Sequence, residues 1–264
     1  PLAAGPADPF DVAAVNAELV PAGLLYGAGR GRFGKPHFFL ARLARHEWRD
    51  GVEVLEAGCE YARDLDAAPA VLQGEAIVLR REAFRDWLRL TAEAWEARSP
   101  EGPLAAAFEA YGYRDSQSLA LERMAEGERE TLLLHELGEL AAGRLLGEGW
   151  ERFMAGIDDR RVEVTARAVR DLLADCLVTL PALLDRDAGT SLHFWFGTLS
   201  PLRRSLFPRA LAAREAWLSG RGTACLREAV VSGRRHWLDV ARTLAADAGE
   251  AGRMALDPSR AALA

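Results

Sequence analysis

Lysine and cysteine are both scarce in this sequence. Lys35 is the only lysine among the 33 residues that are lysine or arginine. The three cysteines, Cys59, Cys176 and Cys225, are odd in number and widely separated, which argues against a disulfide framework or a CxxC zinc site. We therefore predict three reduced thiols in the protein core.

Long apolar runs and a basic excess are also missing. No apolar run reaches the roughly 18 residues that a membrane-spanning helix needs, and Pro1 to Asp11 lack the basic stretch and apolar core of a signal peptide. The net charge of −6 disfavours nonspecific binding to nucleic acid. We expect a cytoplasmic protein with neither a membrane nor a nucleic acid as its partner, while a homo-oligomer is allowed.

Alternating segments of β-branched residues are absent as well, and apolar residues recur instead at helical intervals. The sequence thus predicts an all-α fold: a single helical-bundle-like domain of about eight to ten helices over residues 11–248, with flexible segments at 1–10 and 249–264. The predicted helices are Pro9–Val20, Pro36–Arg49, Gly51–Asp64, Val71–Arg98, Pro103–Ala110, Glu128–Leu146, Arg160–Leu184, Ser200–Ser219 and Thr223–Ala246.

A glycine-rich basic segment, GRGRFGKP at residues 29–36, nearly matches the phosphate-binding P-loop. Pro36 stands where a Ser or Thr hydroxyl should bind magnesium, so we do not predict nucleotide hydrolysis. Glycines let backbone N–H groups converge, and Arg30, Arg32 and Lys35 add charge just before a predicted helix N-terminus. These three residues are our candidates for binding a phosphate or carboxylate; the alternative is a tight turn with solvated arginines.

The sharpest local signal is His135 and Glu139 within an apolar run. Residues four apart share one helical face, which here also carries leucines, so both side chains are predicted to point inward. A buried His and Glu need an ion pair, a hydrogen-bond network or a metal. The segment departs from the zinc-protease pattern HExxH, and in the alternative interpretation Glu136 is solvated while His135 pairs with Glu139.

Asp171 and Asp175 form a second pair with the same spacing. Two like charges on one helical face are costly unless a cation, an arginine or a proton intervenes. Arg167 and Arg170 are near enough in sequence to neutralise them, and a metal ion is the competing explanation.

Other acids and histidines give weaker signals. Glu53, Glu56 and Glu60 on one predicted helix are a third candidate for metal ligands, but we favour the interpretation that they lie on the helix surface. His193 stands before Phe194-Trp195-Phe196, where a histidine is more often packed in a core than used as a ligand.

Our leading hypothesis is a helical metalloprotein: a non-haem iron or related metal-dependent enzyme that acts on a small anionic or organic substrate. His135 and Glu139 are its predicted ligands, with Asp171, Asp175 and His193 as secondary candidates. This set of nitrogen and oxygen donors suits iron, manganese or zinc. The glycine-rich segment would hold the anionic part of the substrate.

Two alternatives come from other functional classes. The first is a noncatalytic helical interaction module in which arginines satisfy the buried His and acids, and in which Trp48, Trp87 and Trp217 contact a partner. The second is a metal-free acid-base enzyme with His135 as its proton carrier.

Overall fold

A five-stranded mixed sheet occupies the N-terminal part of the computed structural model. The prediction of an all-α fold is therefore wrong, and the fold is α+β. The structure describes residues 5, 7–30, 36–64, 67–98, 101–246 and 261–263. They divide into an N-terminal unit, residues 1–100 and 111–133, and a C-terminal unit, residues 101–110 and 134–264.

The sheet lies in the N-terminal unit, and its strands follow the order β1-β2-β3-β5-β4. Neighbouring strands are antiparallel except β3 and β5, which are parallel. The strands are β1 (Leu24–Arg30), β2 (Pro36–Arg49), β3 (Val52–Arg63), β4 (Ala70–Gln73) and β5 (Ala76–Arg80).

Two of the predicted helices, Pro36–Arg49 and Gly51–Asp64, are strands, and so is the start of the predicted helix Val71–Arg98. β2 is rich in Arg, Leu and Ala, which favour helices in isolation, but its pairing with both neighbours overrides that preference. β3 is central and is buried on both faces from Val54 to Gly58, so it lacks the alternation that marks a half-buried strand.

One face of the sheet packs around a small apolar core of Leu25, Phe39, Leu55 and Val78. α1 (Val12–Leu19), followed by a 3-10 turn at Val20–Ala22, lies against β1. The Asn16 side chain fixes this contact, because it accepts a hydrogen bond from the Tyr26 N–H at 2.9 Å and donates one to the Tyr26 carbonyl at 2.8 Å.

The N-terminal unit also contains α2 (Arg81–Arg98), α4 (Gln117–Gly127) and the first residues of α5 (Arg129–Ala155). Arg129 donates to Glu56 at 2.6 Å, and Arg80 donates to both carboxylate oxygens of Glu60 at 2.8 and 2.9 Å. The predicted surface position of these two acids is wrong, because both side chains are almost completely buried against arginine.

The C-terminal unit is helical. Its helices are α3 (Pro103–Ala110), α5 from Leu134 onward, α6 (Arg160–Ala174), α7 (Leu180–Asp185), α8 (Gly189–Thr198), α9 (Pro201–Leu206), α10 (Pro208–Ala216) and α11 (Ala224–Ala246). Two π-helical segments, Asp175–Thr179 and Trp217–Arg221, interrupt the series. The core between these helices includes Trp237, Phe207 and Leu172, all fully buried.

Some sequence predictions concern residues outside the described part of the chain. These include Arg32, Lys35, half of the terminal segment 1–10 and most of the terminal segment 249–264. Within the part that is described, none of the helices combines the length and apolar character needed to cross a membrane.

Candidate functional site

Four of the predicted site residues come together in the C-terminal unit, where α5 lies beside the end of α6. His135 Nδ1 is 2.8 Å from Asp175 Oδ1, and His135 Nε2 is 3.6 Å from Glu139 Oε1. One potential ligand atom from each of His135, Glu139 and Asp171 lies within 4.8 Å of the other two. The i, i+4 spacing of each pair therefore does present both of its side chains to one place.

Local backbone features let the two helices meet here. A Cβ atom built on Gly138 would lie 2.5 Å from the carbonyl oxygen of Ala174, so only glycine allows α5 to approach this closely. The next residue, Asp175, begins the π-helical segment. Such single-turn segments often occur at functional sites, because the wider turn changes the direction of the side chains.

Two arginines neutralise the acids. Arg170 Nη2 is 2.8 Å from Glu139 Oε1 and 3.5 Å from Asp171 Oδ1, while Arg203 Nη2 is in contact with Asp175. The sequence indicates Arg170 as a neutralising residue because it lies next to Asp171. It does not indicate Arg203, which belongs to α9, 28 residues beyond Asp175, with no periodic pattern connecting the two.

Electrostatics favour an imidazolium at His135. Burial alone would lower the pKa of His135, but Asp175 and Glu139 raise it well above its ordinary value. Burial would raise the pKa of Asp175, yet Arg203 and His135 hold it below its usual range. The completely buried Asp175 is thus an anion that holds the imidazole ring in one orientation.

The remaining acids differ in protonation. Burial opposes ionisation of Glu139, but His135 and Arg170 lower its pKa to about 2. Burial and the negative charge of Glu139 raise the pKa of Asp171, and they raise that of Glu136 to about 7. Glu136 is 8% exposed, so the alternative interpretation that placed it in solvent is wrong.

His193 is not one of the residues that pair with this group in the described structure. It lies on α8, and its ring centroid is 4.9 Å from that of Trp217. Arg30 is the last residue of β1, and Pro36 begins a strand. The expected helix N-terminus after the glycine-rich segment does not exist, so one argument for an anion site at Arg30, Arg32 and Lys35 is wrong.

The arrangement offers one neutral or cationic nitrogen, two partly exposed carboxylates and two guanidinium groups in one place. A protonated His135 with Arg170 and Arg203 balances the charges of Glu139, Asp171 and Asp175. The same donors could hold a divalent cation if it replaced the imidazolium proton, because a histidine must be neutral to bind a metal.

Comparison with known proteins gives a family but no activity. Residues 1–80 match the N-terminal domain, and residues 85–263 the C-terminal domain, of a family of unknown function, DUF6866. No curated protein and no solved structure matches the chain.

Proposed function

The chain belongs to the DUF6866 family, whose function is unknown, and we propose that it is a metal-dependent enzyme with a divalent ion held by His135, Glu139 and Asp171. The convergence of these three side chains carries the proposal. Protein ligands lie about 2.0–2.2 Å from a zinc ion, so the donor atoms of one ion are about 3–4 Å apart. Small side-chain rotations would bring the present atoms to that separation.

Asp175 supports this assignment. A metal-binding histidine usually donates its second ring N–H to a carboxylate, which fixes the ring and strengthens its basicity. The hydrogen bond between His135 Nδ1 and Asp175 has this geometry, and it leaves Nε2 directed toward Glu139.

Arg170 is the competitor for this metal ion. Its guanidinium lies on Glu139 and Asp171, the two carboxylates that we assign as ligands. Metal binding therefore requires Arg170 to move away and His135 to lose its proton. In an ion-pair network without metal, Arg170 stays in place and His135 keeps its proton. Experiments that change Arg170 or His135 can therefore distinguish the two interpretations.

Three protein ligands leave coordination positions open, as in catalytic rather than structural zinc sites. A metal ion bound there would activate water or polarise a carbonyl group. Arg170, once released, and Arg203 would favour an anionic substrate beside the ion. Iron, manganese and zinc all suit the donor set.

The first test is elemental analysis of the full chain purified without added metal or chelator. We expect close to one equivalent of iron, manganese or zinc, retained in the control Glu163→Gln and lost in His135→Ala. Glu163 is a suitable control because it lies on α6 and forms an exposed i, i+4 pair with Arg167.

His135→Ala could lose metal simply because the protein unfolds, so a second variant, Arg170→Met, provides a test that does not depend on that loss. Without Arg170 two carboxylates repel each other, so the melting temperature should fall. If the site binds metal, zinc or manganese should restore the melting temperature of this variant more than that of the wild type. No bound metal after reconstitution, together with no rescue, would contradict the proposal and favour the noncatalytic interaction module with its buried network.

The other functional expectations stay predictions. They are a small-molecule substrate and a cytoplasmic location, and a homo-oligomer is allowed.

A further inference from the structure

A groove of about 950 Å³ lies on the face of the sheet that α1 partly covers, within the N-terminal unit. Its lining includes the buried side chains of Leu55 and Val78 and the small side chains of Ala28 and Ala76. Binding sites for small molecules typically have this size and an apolar floor of this kind. The groove belongs to a different unit from the candidate metal site.

One row of residues across the sheet carries Trp48, Glu53 and Gln73, three of the polar side chains that line the groove. Trp48 of β2 pairs with Glu53 of β3, and Ala76 of β5 pairs with Gln73 of β4. The register of β3 and β5, in which Val54 is opposite Ile77, places Ala76 beside Glu53. Glu53 and Gln73 are therefore two strands apart, or about 10 Å.

At one end of this row, an aromatic ring stands beside a carboxylate. Trp48 is 67% exposed, and the side chains of directly paired residues in antiparallel strands lie on the same face. Glu53 lies 2.9 Å from His46 and is itself partly exposed. An indole face next to a carboxylate is a suitable site for an organic ammonium group.

At the other end, Gln73 supplies a hydrogen-bond acceptor. Among the described residues its buried Oε1 atom has no hydrogen-bond partner, while its Nε2 atom donates to the Ala28 carbonyl at a long 3.5 Å. A buried acceptor without a donor costs free energy, which a ligand N–H group would recover. Glu75 follows in the β4–β5 turn and also lines the groove.

The charge of the lining has one sign. Asp11, Glu53 and Glu75 line the groove, and none of the described residues that line it is lysine, arginine or histidine. An apolar floor between negatively charged ends matches a ligand with a hydrocarbon body and positively charged ends.

We propose that this groove binds an aliphatic diamine, with one ammonium group beside Trp48 and Glu53 and the other at Gln73. The hydrocarbon chain lies over Leu55 and Val78. Glu53 and Gln73 are two strand spacings, or about 10 Å, apart, and this distance fits a spacer of roughly six carbon atoms between the two ammonium groups.

Calorimetric titration of the full chain with 1,6-diaminohexane tests the proposal, with hexylamine, 1,3-diaminopropane and hexanoate as comparisons. We expect 1,6-diaminohexane to bind about tenfold more tightly than hexylamine or the shorter diamine, because only it reaches both ends. Hexanoate should not bind. Glu53→Gln and Trp48→Leu should each weaken the binding of 1,6-diaminohexane roughly 3- to 10-fold.

Two control variants separate this site from a general attraction of amines to an acidic protein. Glu122→Gln removes an exposed acid of α4, and Tyr61→Leu removes an exposed aromatic residue of β3; neither residue lines the groove. Both should leave the affinity unchanged. Equal affinity for hexylamine and 1,6-diaminohexane, equal effects of Glu53→Gln and Glu122→Gln, or no binding at millimolar concentrations would overturn the proposal. None of these outcomes depends on metal binding by the C-terminal unit.

Discussion

At the scale of single residues, His193 has a buried ring nitrogen whose loss of hydration is not offset by a hydrogen bond within the described part of the chain. Its Nδ1 atom is buried and has no hydrogen-bond partner in the described part of the chain. Burial lowers the pKa of His193, and the positive charge of Arg214 lowers it further. His193 is therefore neutral in the folded protein at a pH where an exposed histidine would already bind a proton.

This shift gives stability a defined dependence on pH. Because the pKa of His193 is lower in the folded state than its ordinary value of 6.5, the unfolded chain takes up the proton first. The contribution of His193 to the free energy of unfolding is complete above about pH 6.5 and is lost as the pH falls toward the folded-state pKa. In urea unfolding at pH 7.5 and 5.5, we expect His193→Gln to lose less stability on acidification than the wild type. Equal losses in the two proteins would contradict this prediction.

The residues of the candidate metal site show what sequence spacing can predict. His135 with Glu139 and Asp171 with Asp175 were found because residues four apart share a helical face. Spacing within one helix cannot tell which other helix it meets, so the bond between His135 and Asp175 and the contact with Arg203 required the structure.

At the level of secondary-structure elements, the close approach of α5 and α6 depends on Gly138. An alanine there would place its Cβ against the backbone of Ala174, which cannot rotate away as a side chain could. We expect Gly138→Ala to lower the free energy of unfolding by about 1–3 kcal/mol, the usual cost of overpacking. It should also weaken the metal binding that we propose, because it separates His135 from Asp175.

Gly143 in the same helix provides the matched control. No atom of the described part of the chain lies within 4 Å of a Cβ built at this position. Gly143→Ala should therefore stabilise the protein by up to about 1 kcal/mol, through helix propensity alone. Chemical denaturation of both variants measures the contrast, and equal effects would show that contact with Ala174 does not constrain α5.

The sheet was missed although one of its turns has a recognisable signal. Asp50 and Gly51 connect β2 and β3, both with positive φ, of 52° and 79°. An Asp-Gly pair between two apolar segments is a strong indication of a hairpin. The helix-favouring composition of the two strands outweighed this turn signal in the sequence prediction. The helix Pro103–Ala110 was predicted correctly, because its composition and its N-terminal proline both indicate a helix.

Across the whole molecule, the three cysteine thiols differ in their exposure to solvent. Cys59 is exposed on β3, Cys225 is half-buried, and Cys176 is buried in the core of the C-terminal unit. The prediction of three core thiols is thus correct only for Cys176. Burial raises the pKa of Cys176 well above its ordinary value, and the charge of Asp175 raises it further.

Thiol labelling should therefore separate native from unfolded protein. Since only an accessible thiolate reacts, we expect iodoacetamide to modify Cys59 at least about 100-fold faster than Cys176 in the native protein. Modification of Cys176 requires opening of the helical core, so its rate should rise with urea across the range in which the helical circular dichroism signal is lost. Mass spectrometry of the labelled peptides resolves the sites. Rapid modification of Cys176 without denaturant would mean that the packing of α11 against the π-helical segment that holds Cys176 opens readily in the native state.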